Sequence, residues 1–121
     1  MYTQLSSIRN CKKCGLCVNQ TPLIHDCASA DIIWVGLSAV KAQDNSEIPL
    51  SSKTNTGKLI ESVEQLCTSK SFYRTNLVKC LPLENDKIRY PSTSEMQKCL
   101  PHLIDEIQYF KPKIVFLFEY K

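Results

Sequence analysis

Three short segments of the chain have the pattern of strands buried within a sheet. Asp31–Gly36 and Ile114–Phe118 are nearly continuous apolar runs, as in strands that are covered on both faces. Phe72–Val78 combines aromatic, β-branched and aliphatic side chains, which favour a pleated conformation. The pattern therefore predicts three strands, at the start, middle and end of residues 31–118.

Two segments between these strands have helical periodicity. The first follows three capping candidates at 54–56, and the second follows the capping-box sequence of residues 92–95. Pro101 falls inside the second segment, which predicts either a kink or two short helices that meet near Cys99. The apolar positions are Leu59, Ile60, Val63, Leu66 and Cys67 in the first segment, and Met96, Cys99, Leu100, Leu103, Ile104 and Ile107 in the second.

The order strand, helix, strand, helix, strand is typical of a parallel sheet with right-handed crossovers. We predict an α/β fold, a three-layer αβα arrangement with a short parallel sheet of about three strands, in a single domain over residues 1–121. Residues 37–55 and 83–91 lack periodicity and are predicted to be loops. Ligands of such sheets bind beyond the carboxyl ends of the strands. We therefore expect the functional residues in and near these loops.

Composition narrows the class of protein only moderately. Hydrophobic residues make up 43% of the chain and charged residues 22%, which is ordinary for a globular protein and argues against disorder. No run approaches the roughly 18 apolar residues of a membrane span, and Met1–Gln4 does not open a secretion signal, so we expect a cytoplasmic protein. The net charge of +3 permits contact with nucleic acid without requiring it.

Seven cysteines change this picture more than the charge does. Because the cytosol keeps thiols reduced, a metal site is a better interpretation than a disulfide scaffold. The pair Cys11 and Cys14, three residues apart, together with Cys80 and Cys99, would supply four thiolates. Cys17 is an alternative ligand or a spare, as the odd count requires. His25 and Cys27 are weaker candidate ligands, and buried free thiols remain an alternative to any metal.

These residues together resemble the iron–sulfur uracil-DNA glycosylases of families four and five. The features occur in the family's order: the amino-terminal Cys-x-x-Cys, the strand 31–36, the segments Ile48–Leu50 and Thr56–Ile60, and the run from Thr75 through Cys80 to Pro101. The resemblance implies a uracil-DNA glycosylase-like fold that is truncated at its carboxyl end. It also implies a [4Fe–4S] cluster held by Cys11, Cys14, Cys80 and Cys99, with zinc on the same thiolates as the alternative.

Several departures from the family pattern bear on catalysis. The family's turn after the first strand carries an acidic residue that helps to activate water, and here Leu37 follows Gly36. Leu50 stands where the family has a phenylalanine that stacks on the extruded uracil. The loop with the family's catalytic histidine lies beyond this sequence, and His102 does not replace it. Asn76 matches the family's uracil-reading asparagine, although capping of the strand end is an equal alternative for it.

We therefore expect a catalytically inactive accessory protein, not an enzyme. It would bind DNA, in single-stranded form, and serve a larger partner such as a polymerase, primase or helicase, for example one encoded by a mobile element. The alternatives are a protein-interaction module that pairs through an exposed sheet edge at Ile114–Phe118, and a residual glycosylase. The predicted DNA-contacting residues surround the carboxyl ends of the first two strands: Lys53, Lys58, Asn76, Lys79, Lys87 and Arg89.

Overall fold

The computed structural model describes residues 8, 10–11, 15–16, 19–20, 22–41 and 47–118. Seven elements lie in these ranges: β1 (Ile32–Ser38), α1 (Asn55–Leu66), β2 (Phe72–Val78), β3 (Leu83–Glu84), β4 (Lys87–Ile88), α2 (Thr93–Phe110) and β5 (Ile114–Leu117). Within the same ranges, neither helix has the length and apolar character needed to cross a lipid bilayer. The three predicted strands and both helical segments are present. The prediction that the third strand is buried is wrong, because most side chains of β5, an outer strand of the sheet in the described residues, are exposed.

The three long strands form one parallel sheet in the order β2-β1-β5. In its register Gly36 of β1 lies beside Asn76 of β2, and Trp34 lies beside Phe116 of β5. The predicted α/β class with a three-stranded parallel sheet is confirmed. The carboxyl ends of β1 and β2 lie side by side, so the polar residues at those ends are neighbours in space.

The two helices cover opposite faces of this sheet. Ile33, Val35 and Tyr73 pack with Leu103 of α2, whereas Trp34, which points to the other face, packs with Ile60 of α1. Successive side chains of a strand alternate between faces, so these two clusters define a helix layer on each side. The predicted three-layer arrangement is therefore confirmed.

Side chains cap both helices at their amino ends. Thr54 Oγ1 accepts the Gly57 N–H at 3.0 Å, and Ser92 and Glu95 form the predicted capping box. The expectation of two short helices near Cys99 is wrong, because α2 continues through Pro101. Pro101 and Gln97, whose carbonyl faces the missing N–H, are both exposed, so water can hydrogen-bond that carbonyl.

A small hairpin occupies the segment that was predicted to be a loop. Strands β3 and β4 pair antiparallel on either side of Asn85 and Asp86, which have φ values of 52° and 63°. Two consecutive residues with positive φ are the mark of a type I′ turn, and Asn and Asp tolerate these φ values better than other residues with a side chain. The Asn-Asp pair was the available signal for this hairpin, and the prediction of an irregular loop missed it.

Candidate nucleic-acid site and cysteine cluster

Asn76 lies at the carboxyl end of β2 with its side chain pressed between two neighbours. It is 4% exposed, and its Oδ1 accepts no hydrogen bond. A Cβ on Gly36 would come within 2.4 Å of that oxygen and within 2.8 Å of Leu50 Cδ2. Only glycine therefore permits this approach. Because Oδ1 has no partner, it does not cap the backbone and remains available to a hydrogen-bond donor.

Leu50 is fixed above Asn76 by strained backbone. Its φ of 53° is unusual for a branched residue, and its side chain is 8% exposed. The Arg74 guanidinium donates to the Leu50 carbonyl oxygen at 2.9 Å. On the other side, a Cβ on Gly57 would lie 1.8 Å from the Ser51 oxygen, so α1 begins in direct contact with this turn. These contacts hold the Leu50 side chain over the pocket.

Arg74 is itself held by a partly buried ion pair. Its Nη2 lies 2.9 Å from Glu64 Oε1 of α1, and Trp34 Nε1 donates to Glu64 Oε2 at 2.8 Å. The Arg74 side chain is only 8% exposed. Arg74 therefore positions Leu50 and is not available to a nucleic acid. Sequence reasoning missed this role, because nothing local to β2 indicates that α1 supplies a carboxylate.

The pocket around the Asn76 side chain is small. It encloses about 50 Å³, room for about two water molecules at their liquid volume. Its described lining carries neither a carboxylate nor an imidazole: Leu23, Ser38, Val40, Pro49, Leu50, Thr54 and Asn76. Glu47 lines an adjoining cavity of about 220 Å³, where it pairs with Lys53 at 2.7 Å. The volume beside Asn76 is thus well below the roughly 300–1,000 Å³ of small-molecule pockets, and Leu50 is one of the side chains that line it.

The prediction that Lys79 contacts DNA is corrected by its position. Its side chain is 2% exposed and forms an ion pair with Glu106 of α2. Its Nζ also donates to Thr75 Oγ1 and to the Asn76 carbonyl, each at 2.5 Å. Tyr73 and Thr75 donate their hydroxyls to Glu106, the latter at 2.8 Å. Lys79 is therefore part of a buried polar network, and phosphate cannot reach it.

His25 and Cys27, the weaker candidate ligands, contact other parts of the protein and are not grouped with further metal-ligating side chains among the described residues. His25 Nδ1 accepts the Arg74 N–H at 3.0 Å, and its ring stacks on Tyr73. Burial, and next the nearby Arg74 charge, lower the pKa of His25. Burial is also the largest cause that raises the pKa of the Cys27 thiol, to about 11, so this sulfur stays protonated at neutral pH.

The other predicted DNA-contacting cations differ in how far they are neutralised. Lys58 in the first turn of α1 is exposed, and so is Lys87 in the hairpin, where Glu84 lies opposite it on β3. Lys53 is exposed but pairs with Glu47. Arg89 forms a two-pronged ion pair with Glu95 at 2.6 and 2.7 Å, which holds the pKa of Glu95 at about 2. Lys58 and Lys87 are thus the best placed to contact phosphate.

Three of the four predicted metal ligands lie in described residues, and Cys14 lies outside them. Cys80 and Cys99 are buried, and Cys11 is half-buried. The Lys79 N–H donates to Cys99 Sγ at 3.2 Å, and Leu16 packs against Cys80, so β2, α2 and the amino-terminal segment converge here. Across the described part of the chain, no three His, Cys, Asp or Glu residues form a metal-holding group.

A larger cavity lies between the end of β1 and the hairpin. It encloses about 320 Å³, within the roughly 300–1,000 Å³ range of small-molecule pockets. It shares Ser38 and Val40 with the Asn76 pocket, so the two are adjacent. Sequence reasoning did not predict this cavity, because its second wall is the hairpin. Its lining is mostly apolar: Leu37, Ser38, Val40, Ile88, Arg89, Tyr90 and Pro91.

Comparison with known proteins agrees with this architecture. The sequence model of the uracil DNA glycosylase superfamily matches residues 24–120, most of the chain. The chain belongs to this superfamily. A curated relative, the type-4 uracil-DNA glycosylase of Pyrobaculum aerophilum, is 28% identical over an alignment of 116 positions that covers 88% of this chain. The matched part is 54% of the relative, so the chain spans about half the length of that glycosylase. The resemblance inferred from the sequence is confirmed.

Proposed function

We propose that this superfamily member binds single-stranded DNA without excising uracil from it. The observation that carries the proposal is the Asn76 pocket, which keeps an unpartnered oxygen but is closed by Leu50 to about 50 Å³. The relative from Pyrobaculum aerophilum is named as a glycosylase that acts on uracil in DNA. A retained DNA-facing edge with a closed base pocket fits an accessory role beside a polymerase, primase or helicase.

The chemistry of the pocket argues against excision. Cleavage of a glycosidic bond needs an extruded base, room to hold it and electrostatic help for the departing charge. Leu37 offers no carboxylate to activate water, and Leu50 offers no aromatic ring on which an extruded base could stack. Within the described lining of the pocket, Asn76 is the one residue with a side-chain amide that could hydrogen-bond a base. The water-activating acid and the stacking ring of the family pattern are both replaced by leucine here, at positions 37 and 50.

The cysteines support a structural metal as part of this proposal. Cys80 and Cys99 are buried beside apolar side chains, and the N–H bond to Cys99 Sγ is the kind that stabilises a metal-bound thiolate. Cys11 and Cys14 would complete the set. A cluster or zinc held there would join β2, α2 and the amino-terminal segment. Measurement of the iron and zinc content of the purified protein distinguishes a [4Fe–4S] cluster from zinc.

The test of DNA binding is a salt series with a labelled single-stranded oligonucleotide and the metal-loaded protein. We expect saturable binding. The logarithm of the association constant should fall linearly with the logarithm of the salt concentration. The double variant Lys58→Gln/Lys87→Gln should bind more weakly, with the slope reduced by about 1.4, or about 0.7 for each lost phosphate contact. Fluorescence anisotropy measures both quantities.

A matched control comes from the other end of the sheet, where the strands begin. Lys70 and Lys113 are exposed near the amino ends of β2 and β5, and their replacement by glutamine removes the same net charge. We expect this double variant to keep the native slope. An equal loss of affinity in both double variants would show that DNA is attracted by the net charge and not by this end of the sheet. An absence of binding at low salt would refute the proposal.

Excision is tested separately, with a single-stranded oligonucleotide that carries one uracil. We expect no alkali-labile break above the level of a buffer control, because the pocket cannot admit the base. The variant Leu37→Glu should not restore cleavage, since Leu50 still closes the pocket. Cleavage by the native protein would show that Leu50 moves aside and that the protein is an enzyme.

A second candidate function is a protein-interaction module, and strand β5 favours it. Within the described residues β5 is an outer strand of the sheet, and Phe116 and Leu117 are 43% and 72% exposed. Phe116 stacks on the buried Trp34, so its ring is anchored to the core while part of it stays exposed. Such edges pair readily with another chain. A protein that co-purifies with the native chain but not with the Leu117→Lys variant would support this function. The function is compatible with DNA binding at a different part of the surface.

A further inference from the structure

The hairpin cavity has features of a binding site for an unpaired nucleobase. It lies beside the Asn76 pocket, with Ser38 and Val40 in the wall between them. Its volume of about 320 Å³ is more than six times that of the Asn76 pocket. A base that the closed pocket excludes therefore has an apolar space next to it that is large enough.

Tyr90 gives this cavity a surface suited to a flat ring. The residue is 60% exposed, although its neighbours Arg89 and Pro91 are more deeply buried. Exposed aromatic rings of this kind stack with bases of any sequence, because every base has a π face. Ile88, which is 50% exposed, lies on the same wall of the cavity. These two side chains expose apolar surface that the fold itself does not use.

Several hydrogen bonds fix the backbone and side chain of Arg89, the residue between strand β4 and Tyr90. The Arg89 N–H donates to the Pro82 carbonyl at 3.1 Å, and Arg89 Nε donates to the Leu83 carbonyl at 3.2 Å. The ion pair to Glu95 ties the same side chain to the first turn of α2. A rigid platform loses little conformational entropy on binding. Lys87, exposed on the hairpin, adds positive charge for a neighbouring phosphate.

We propose that the cavity between β1 and the hairpin binds an unpaired base of single-stranded DNA, with Tyr90 as the stacking residue. The inference rests on the proposed DNA-binding function and adds a site to it. The base enters the apolar space and stacks on Tyr90, and the following phosphate lies near Lys87. The Asn76 pocket does not take part. Recognition by stacking predicts little preference among bases.

The test compares Tyr90→Ala and Tyr90→Phe for binding of two probes, an oligothymidylate and an abasic oligonucleotide of the same length. Loss of one stacked base should weaken oligothymidylate binding about tenfold in Tyr90→Ala, and Tyr90→Phe should bind like the native protein. Binding of the abasic probe should be the same for all three proteins. Tyr109→Ala, which removes an exposed tyrosine from α2, should change neither affinity.

The outcomes separate this inference from the proposed function. Equal affinity of Tyr90→Ala and the native protein for oligothymidylate, with Lys58→Gln/Lys87→Gln still weakened, would overturn the base site and leave DNA binding intact. Equal weakening for the abasic probe would also overturn it, because the contact would not involve a base. Failure of the native protein to bind either probe would overturn both proposals. Circular dichroism of each variant verifies that the fold is retained.

Discussion

Replacement of Lys79 by methionine should lower the free energy of unfolding by about 3–5 kcal/mol, as expected when one partner of a buried ion pair is removed. The Lys79 and Glu106 side chains are 2% and 1% exposed, so solvent cannot compensate the remaining carboxylate. Tyr73 and Thr75 still donate to Glu106, but neither supplies a positive charge. Urea denaturation followed by circular dichroism measures the loss.

Two further variants make this prediction specific. Lys53→Met removes a lysine from an ion pair in which the lysine side chain is 56% exposed, and the expected cost is below about 1 kcal/mol. Glu106→Gln added to Lys79→Met should recover part of the lost stability, because the buried charge is then gone while an acceptor for Tyr73 remains. Equal costs for Lys79→Met and Lys53→Met would contradict the interpretation of the network as a buried ion pair.

Replacement of Cys80 or Cys99 by serine should abolish metal binding and soluble folded protein together. Structural metal sites contribute on the order of 10 kcal/mol to folding, which is comparable to the roughly 5–15 kcal/mol total stability of a domain. Both sulfurs are buried where β2 and α2 meet, so loss of a ligand also leaves a polar hydroxyl in an apolar setting. Elemental analysis of the purified protein measures iron and zinc directly.

Cys67→Ser is the matched control for the cysteine variants. Cys67 is half-buried at the carboxyl end of α1 and is not one of the predicted metal ligands. We expect this variant to retain native metal content and yield. A soluble Cys80→Ser or Cys99→Ser protein with full metal content would show that the ligand assignment is wrong. A native protein without iron or zinc would leave Cys80 and Cys99 as buried free thiols.

The predicted strands and helix starts agreed with the structure because their signals are local. A strand buried on both faces needs a continuous apolar run, and β1 has one; a helix start needs a side-chain acceptor, and Ser92 with Glu95 supplies it. The inner face of α2 was predicted less well. His102 and Glu106 are buried there, while Leu100 and Ile104 of the predicted apolar stripe are 40% and 44% exposed.

The sequence by itself determined the order of elements, the parallel sheet and the position of Asn76 at a strand end, because these follow from apolar runs, caps and chain direction. Only the tertiary structure decided what lies around Asn76. Lys79 is buried because Glu106, 27 residues later, meets it across the β2–α2 contact. Leu50 closes the pocket because Arg74 and α1 hold its turn. Contacts between distant residues carry no local pattern, so spacing along the chain could not reveal them.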